Sequence, residues 1–146
     1  MRGPAACGKS TLAKKYVENQ GYVRVNKDDL RLMLHNGIWS KANEKETVAV
    51  HNAAIRASLL MGAKVVVDNT HLLPRDRKFY EDLADDLSLL PEFDKGIEML
   101  IVDFFNVPFE TCFERDSKRI GSARVGREVI ARQFKMMKEL IEYESK

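Results

Sequence analysis

Residues 3–10 read GPAACGKS, which matches the phosphate-binding pattern G-x-x-x-x-G-K-[ST] and decides the fold prediction. Gly3 and Gly8 allow a tight loop whose backbone N–H groups turn inward and cradle phosphate oxygens. Lys9 is long enough to reach the β- and γ-phosphates, and the Ser10 hydroxyl can ligate Mg²⁺. The segment that follows predicts a helix, whose N-terminal dipole faces the same phosphates. The alternative is an ordinary glycine-containing turn before a helix.

The start of the chain departs from the usual pattern. A phosphate-binding loop normally follows a buried strand, yet only Met1 and Arg2 precede Gly3. Met1 stands where the end of that strand is expected. Either the chain begins late or another segment fills the position, and we favour a truncated or misassigned start. The departure concerns the stability of the fold more than it concerns the ligand.

The composition is that of an ordinary enzyme of one domain. The chain has 146 residues, 45% hydrophobic and 32% charged, which predicts a single domain over residues 1–146. The net charge of +2 does not by itself indicate nucleic-acid binding. No apolar run approaches the roughly 18 residues of a membrane span, and no signal peptide is visible. The two cysteines, Cys7 and Cys112, are too few for a disulfide framework and favour a reducing, cytoplasmic location.

Strands and helices are predicted to alternate along the chain. This alternation implies a parallel sheet flanked by helices, with the ligand at the carboxyl ends of the strands. The predicted strands cover residues 22–26, 64–68 and 98–105. The predicted helices cover residues 9–20, 28–35, 43–61, 75–87, 108–118 and 127–143.

Chemically active side chains follow the first predicted strand. Residues 26–29 read NKDD, which fits the guanine-reading motif of GTPases, but they lie too close to the phosphate loop for that role. Asp28 is better interpreted as a general base that takes the proton of an acceptor hydroxyl, with a helix N-cap as the alternative. Arg31 lies on the same helix face. It can fork onto a phosphate of the acceptor, pair with Asp28 or carry a solvated charge.

The second predicted strand ends at Asp68, and an unpaired carboxylate at this position is costly to bury. We therefore expect Asp68 to touch Mg²⁺ through water or to orient Arg31. His35, His51 and His71 show no spacing typical of metal ligands.

A basic loop near the end of the chain predicts a lid over residues 115–127. Such a lid closes over ATP and supplies positive charge to the transition state. Because Asp116 and Lys118 charge the same helix, a solvated face is the alternative. The arginines that flank the loop are Arg115, Arg119, Arg124 and Arg127.

These motifs together resemble the kinase domain of the bacteriophage polynucleotide 5′-hydroxyl kinase family over nearly the whole chain. GPAACGKST resembles the phosphate loop of that family, and VNKDDLR resembles its acceptor motif. VVVDNT followed by LLPRDR resembles its strand end and Pro-led helix, and FERDSKR resembles its lid segment. The chain departs from the family in its missing first strand, a slightly longer lid loop and Gly126 at a position often occupied by proline. It also lacks the D-x-D-x-T motif of a phosphatase domain.

The resemblance implies a P-loop α/β kinase that moves the γ-phosphate of ATP to the 5′-hydroxyl of DNA or RNA. The implied catalytic residues are Lys9, Asp28, Arg31 and Arg119. The implied ATP-binding residues are Gly3, Ala6, Cys7, Gly8, Lys9, Ser10, Thr11, Arg115 and Arg119, with Ser10 also binding Mg²⁺. The implied acceptor residues are Asp28, Arg31, Asp68 and Asn69.

Two other functions stay open on the sequence. One is a P-loop kinase with a small-molecule or protein acceptor, and the other is a nucleotide-binding module without turnover. The implied partners are 5′-OH nucleic-acid ends and ATP, in nucleic-acid repair and without a membrane. The choice between DNA and RNA and the formation of a homo-oligomer also stay open.

Overall fold

The computed structural model describes residues 1–146 and contains six α-helices and a two-stranded parallel sheet. The predicted α/β class is thereby confirmed. No helix combines the length and the apolar character needed to cross a membrane. The strands are β1 (Val23–Val25) and β2 (Val65–Val67), and 3₁₀ turns lie at Pro91–Phe93 and Gly121–Ala123. The helices are α1 (Lys9–Gln20), α2 (Lys27–His35), α3 (Lys41–Leu60), α4 (Pro74–Ser88), α5 (Phe109–Ser117) and α6 (Arg127–Glu144).

The chain forms two compact units. The continuous unit consists of Ser10–Asn69, and the discontinuous unit consists of Met1–Lys9 together with Thr70–Lys146. The chain therefore leaves the discontinuous unit after Lys9 and returns to it at Thr70. The single domain over residues 1–146 stays a prediction.

The two strands pair in parallel within the continuous unit, with Val23 opposite Val65 and Val25 opposite Val67. Parallel strands need a long crossover connection, which α2 and α3 supply here. Val25 and Val66 are buried, as expected for β-branched side chains on a covered sheet. The carboxyl ends of both strands lead directly into the polar residues that the sequence singled out.

The helices lie close to their predicted positions, and α1 has the predicted bounds. The largest difference is at the start of α3, which begins at Lys41 rather than at residue 43. Ser40 causes the earlier start, because its side chain accepts a hydrogen bond of 3.0 Å from the backbone N–H of Asn43.

The strand predicted at 98–105 is wrong. This segment makes only an isolated parallel bridge, between Arg2 and Asp103. Two backbone hydrogen bonds of 2.9 Å form it, from Arg2 N–H to Val102 and from Phe104 N–H to Arg2. A strand ladder needs several consecutive residue pairs, and this segment makes one such pair, through Arg2. The apolar run thus has the composition of a strand but does not form one.

The Arg2 side chain fixes the entry to the phosphate loop. Its guanidinium is buried and forks onto Asp103 at 2.7 and 2.8 Å, and it also donates to Glu144 of α6 at 2.6 Å. The hydrogen bonds to Asp103 raise the pKa of Arg2, against the opposing effect of burial, and those to Glu144 add to the rise. The buried charge is therefore fully paired, which is the condition for burying it at tolerable cost.

The core of the discontinuous unit joins the phosphate loop to two helices. Cys7 of the loop, Cys112 of α5 and Ile130 of α6 form one buried cluster. Cys7 is consequently a small packing residue. Aromatic rings pack around the cluster, namely Phe104, Phe109, Phe113 and Phe134.

Candidate active site

The phosphate loop has the backbone conformation that its glycines predict. Gly3 has a φ of 150° and Gly8 a φ of 111°, both in the range that favours glycine. A Cβ atom on Gly3 would lie 3.0 Å from the Sγ of Cys7 and 3.0 Å from the Cβ of Phe104, so a side chain there would crowd both neighbours. Ala6 adopts a φ of 60°, which is strained for a residue with a side chain. The surrounding packing therefore holds the loop in a shape that the free peptide would not prefer.

Lys9 is buried within this loop, with an exposed fraction of 7%. Its ammonium donates to the carbonyl oxygens of Gly3 at 2.8 Å and Pro4 at 2.7 Å, and it lies 3.4 Å from the Sγ of Cys7. These partners are dipoles, and Lys9 forms no ion pair. A buried ammonium without a counter-charge is well suited to bind an anion.

Side chains from α5 and α6 hold the loop in place. The Oε1 of Gln133 accepts a hydrogen bond of 2.7 Å from the backbone N–H of Ala5. The Nη1 of Arg115 donates to the carbonyl of Cys7 at 3.3 Å and to that of Ala6 at 3.5 Å. The sequence placed Arg115 near the nucleotide, and the structure places it against the loop. The contact of Gln133 with the loop was not predicted from the sequence, because a glutamine within an amphipathic helix carries no local signal.

The connection between α5 and α6 is fastened by Asp116. This carboxylate is fully buried and accepts hydrogen bonds from the backbone N–H groups of Val125 at 3.1 Å and Gly126 at 2.9 Å. Arg119 lies 3.6 Å from the same carboxylate and donates to the carbonyl of Ala123 at 3.3 Å. Asp116 therefore supports the connection between α5 and α6. It does not belong to a solvated face, which was the alternative interpretation of this helix.

The arginines around this loop differ in their surroundings. Arg127 stacks over the rings of Phe109 and Phe113, 5.0 and 4.8 Å from their centroids. It thereby braces α6 against α5. Arg124 is exposed, and Arg119 keeps 39% of its side chain exposed. The lid itself stays a prediction.

The Asp28 carboxylate projects from the first turn of α2. The N-cap of this helix is Asn26, whose side chain accepts a hydrogen bond of 2.9 Å from the backbone N–H of Asp29. Asp28 is therefore not the N-cap. Its side chain is 86% exposed, and its Oδ1 accepts a hydrogen bond of 2.6 Å from Arg31. The carboxylate is thus accessible to a substrate hydroxyl.

Arg31 bridges two carboxylates. Besides Asp28, it contacts Glu44 of α3, with its Nε at 2.9 Å and its Nη2 at 2.8 Å from one carboxylate oxygen. Burial opposes the charge of Arg31, but the hydrogen bonds to Asp28 and Glu44 outweigh it and raise the pKa. The ion pair with Asp28 agrees with one of the predicted roles. A phosphate that binds Arg31 would take the place of one of these carboxylates.

Asp68 does not orient Arg31 as expected. Its side chain is fully buried, and its Oδ2 accepts a hydrogen bond of 2.9 Å from Arg24 of β1. Arg24 also pairs with Asp29 on the first turn of α2. The Oδ1 of Asp68 and the Nε of Arg24 are buried without a hydrogen-bond partner. Asp68 therefore links β2 to β1 and does not contact Arg31.

Asn69 connects the start of α2 to a buried histidine. Its Oδ1 accepts a hydrogen bond of 2.9 Å from the backbone N–H of Lys27, so its Nδ2 donates to the Nε2 of His51 at 2.9 Å. The hydrogen of the His51 ring then sits on Nδ1 and donates to the Oδ1 of Asn52 at 3.0 Å. The neutral form of His51 thus holds Asn69, and Asn69 holds the helix that carries Asp28. The sequence missed this role of His51.

Residues 1–143 match the model of the family AAA_33, which is described as an AAA domain. The chain belongs to this AAA domain family. A solved structure described as the Pnkp1/Rnl/Hen1 RNA repair complex contains a similar chain, with a TM-score of 0.74 and 24% sequence identity. The alignment covers 97% of this AAA domain and 44% of the other chain. No curated protein matches the sequence.

The match to the AAA domain family identifies the loop at Gly3–Ser10 as part of a P-loop nucleotide-binding domain. The structural likeness supports the same fold, so the resemblance to polynucleotide kinases is confirmed at the level of the fold. The AAA domain spans less than half of the length of the chain it resembles.

The residues around Ser10 fit a magnesium ion that is bound mainly through a nucleotide. Ser10 is exposed on the first turn of α1, directly after Lys9, and its hydroxyl is a hard oxygen donor. No group of three His, Cys, Asp or Glu side chains is arranged to hold a metal by itself. Because Mg²⁺ keeps several waters and favours phosphate oxygens, one protein hydroxyl is a sufficient ligand set here.

Each unit of the AAA domain gathers part of the predicted site. The discontinuous unit brings Arg115 to the phosphate loop, and it places Arg119 on the connection fastened by Asp116. The continuous unit brings Asp28 and Arg31 into direct contact, and Asn69 reaches the same helix through Lys27. Ser10 and Thr11 are exposed at the start of α1.

The stability of this AAA domain is expected to fall in mild acid through His51. Burial lowers the pKa of His51 below 6.5, the hydrogen bond to Asn52 opposes this, and the charge of Lys27 adds to the lowering. At pH values between the folded-state pKa of His51 and 6.5, the unfolded chain binds more protons than the folded chain. The stabilising contribution of neutral His51 is therefore fully present above pH 6.5 and is lost as the pH falls through this range. The measurement is the melting temperature between about pH 7.5 and pH 5.5.

His51→Gln is the matched variant, because its Oε1 offers an acceptor to Asn69 that does not titrate. We expect its melting temperature to fall less between the two pH values than that of the original chain, from which it differs only at His51. An identical fall in both proteins would contradict the role of neutral His51.

Proposed function

We propose that this AAA domain transfers the γ-phosphate of ATP to the 5′-hydroxyl terminus of DNA or RNA. The observation that carries the proposal is the pair on α2, where the exposed Asp28 carboxylate lies 2.6 Å from the Arg31 guanidinium. A 5′-hydroxyl end presents a proton to remove and a phosphate on its 3′ side. One turn of helix that carries a base and an arginine suits both groups, because the base can take the proton and the arginine can bind the phosphate.

In the proposed reaction, the 5′-oxygen attacks the γ-phosphorus while an Asp28 oxygen accepts the hydroxyl proton. The bond from the γ-phosphorus to the bridging oxygen breaks, and ADP leaves with that oxygen. Arg31 holds the phosphate 3′ to the reacting nucleoside. Asp68 supports the helix that carries Arg31 through β1, and Asn69 supports the start of the same helix. Asp28 is therefore the general base and Arg31 positions the acceptor.

The ATP phosphates are proposed to bind where Lys9 already lies among loop carbonyls. The loop amides of Ala6, Cys7 and Gly8 would donate to the phosphates, which supply the counter-charge that the Lys9 ammonium lacks. Arg115 and Arg119 balance the charge that develops as the phosphoryl group moves. Mg²⁺, held by Ser10 and neighboured by Thr11, would neutralise phosphate oxygens when bound. Transfer then rests on positioning and electrostatics.

The likeness to a chain of an RNA repair complex supports a nucleic acid as the acceptor. It also supports a place for this AAA domain in nucleic-acid repair. The acceptor residues of the continuous unit support the same choice, because Arg31 offers a forked donor that suits phosphate.

Transfer from γ-labelled ATP with Mg²⁺ tests this proposal. The acceptors are 5′-OH oligonucleotides, a 3′-phosphorylated mononucleoside, and a panel of sugars and nucleosides. We expect label on the 5′ end of the oligonucleotide, and we expect it to be lost in Asp28→Ala. Label only on a small molecule would keep the kinase and reject the nucleic-acid acceptor. ATP binding without any transfer would favour a binding module.

Arg31→Lys is expected to weaken the binding of oligonucleotides specifically. Lysine keeps the charge but loses the fork that grips phosphate, so we expect the KM for an oligonucleotide to rise about tenfold. The KM for a nucleoside that lacks a 3′ phosphate should change by less than about twofold. Equal losses for both acceptors would remove the phosphate-gripping role from Arg31.

A further inference from the structure

A cluster of large apolar side chains is exposed at the end of α2 and just beyond it. Met33 is 70% exposed, Ile38 is 64% exposed and Trp39 is 68% exposed, while Leu32 is 57% exposed. Single exposed apolar residues are common, but these four lie within eight positions together with Leu34, which is 39% exposed, and such a concentration is typical of a contact surface. We call these four residues the Trp39 surface.

Hydrogen bonds fix the backbone of the turn that carries the Trp39 surface, and one of them connects this turn to Arg31. The N–H of Gly37 donates to the carbonyl of Arg31 at 3.2 Å, and the N–H of Ile38 donates to the carbonyl of His35 at 2.9 Å. The side chain of Asn43 donates to the carbonyl of Ile38 at 2.9 Å. Trp39 is therefore presented to solvent from a structured turn that continues directly from the helix of Arg31.

Unpaired positive charges flank the same turn. Lys41 and Lys45 lie in the first two turns of α3, are exposed, and form no ion pair. The nearby carboxylate of Glu44 is occupied by Arg31, and that of Glu46 lies 3.6 Å from a histidine. The N-terminal end of α3 adds its own positive dipole. A flat aromatic ring beside free positive charge fits a polyanion with flat bases.

We propose that the Trp39 surface binds the single-stranded segment of nucleic acid that follows the reacting 5′ end. The indole of Trp39 stacks on a base, and Lys41 and Lys45 contact the phosphates on either side of it. The inference rests on the proposed function, since Arg31 holds the first phosphate of the same strand. It deepens that function by naming the substrate class as 5′ ends with several unpaired nucleotides.

Trp39 is the only tryptophan of the chain, so its fluorescence reports on this surface alone. The probe is an oligothymidylate with a 5′-OH, added without ATP. We expect saturable quenching of the fluorescence that weakens as salt rises, because stacking quenches the indole and phosphate contacts release counterions. A 3′-phosphorylated mononucleoside should quench far less at the same concentration.

Trp39→Ala is expected to raise the KM for the oligonucleotide about tenfold, in line with the loss of one stacked base. The ratio of this KM to that for the mononucleoside should rise by the same factor. Trp39→Phe should restore most of the affinity because it keeps a flat ring. Leu89→Ala is the matched control, since Leu89 is 84% exposed and lies in the discontinuous unit.

The outcomes separate this inference from the proposed function. Transfer to oligonucleotides without quenching, or with an unchanged KM in Trp39→Ala, would overturn the role of the Trp39 surface and leave the kinase intact. A dimer in sedimentation that already quenches Trp39 would assign the surface to a second copy and overturn the inference. Quenching without transfer would uphold the binding surface and reject the acceptor chemistry.

Discussion

Lys9→Ala is expected to reduce phosphate transfer about a thousandfold or more. The ammonium of Lys9 is buried without a counter-charge, and its partners are the carbonyls of Gly3 and Pro4. A γ-phosphate at the loop would meet this charge in a site of low dielectric, where it is worth most. The measurement is the rate of label transfer from ATP at saturating oligonucleotide.

Two further variants separate charge from packing in this result. Lys9→Met keeps the aliphatic stem within the loop, so a loss as large as that of Lys9→Ala assigns the effect to the ammonium. Lys15→Ala removes a charge from the exposed face of α1 and should leave the rate within about twofold. Full turnover in Lys9→Ala would reject the phosphate-loop assignment.

Asp28→Asn is expected to lower kcat by about a hundredfold to ten-thousandfold and to leave ATP affinity unchanged. The amide is nearly isosteric but does not accept the hydroxyl proton, and Arg31 keeps its pairing with Glu44. Single-turnover transfer gives the chemical rate, and equilibrium binding of a fluorescent ATP analogue gives the affinity. A large loss of ATP affinity would instead identify Asp28 as a nucleotide contact.

Asp29→Asn is the natural control for this experiment. Asp29 is the next residue on the first turn of α2, carries the same charge and has 63% of its side chain exposed. Its partner is Arg24, however, so it takes no part in the proposed proton transfer. We expect a change in kcat of less than about threefold. Equal losses in the two variants would point to the stability of α2 rather than to a base.

Local patterns were sufficient to predict most of the secondary structure. Caps and glycines mark where helices begin and end, so the bounds of α1 were predicted correctly and those of α2 nearly so. The segment 98–105 failed because a strand is defined by its partner, and a partner distant in the sequence leaves no trace in the segment itself. Strand pairing is thus the part of this fold that local chemistry does not encode.

The candidate site likewise has contacts that the sequence predicts and contacts that it does not. The phosphate loop and the contact of Asp28 with Arg31 follow from spacing along a few residues, and both could be predicted. The partners Glu44 and Arg24 come from other elements, so spacing offered no means of choosing them. Asp116 was read as a surface charge because its burial depends on the chain folding back at Val125 and Gly126.

The interruption of one unit by the other has a consequence for how such proteins diversify. The continuous unit is a single stretch, Ser10–Asn69, and it carries Asp28, Arg31 and Trp39. One crossover within the GKS motif and a second after Asn69 would exchange this stretch for that of a relative in one event. Recombination at these junctions can therefore replace these three residues together while Gly3–Lys9 stays unchanged, and chimaeras built there reproduce that step in the laboratory.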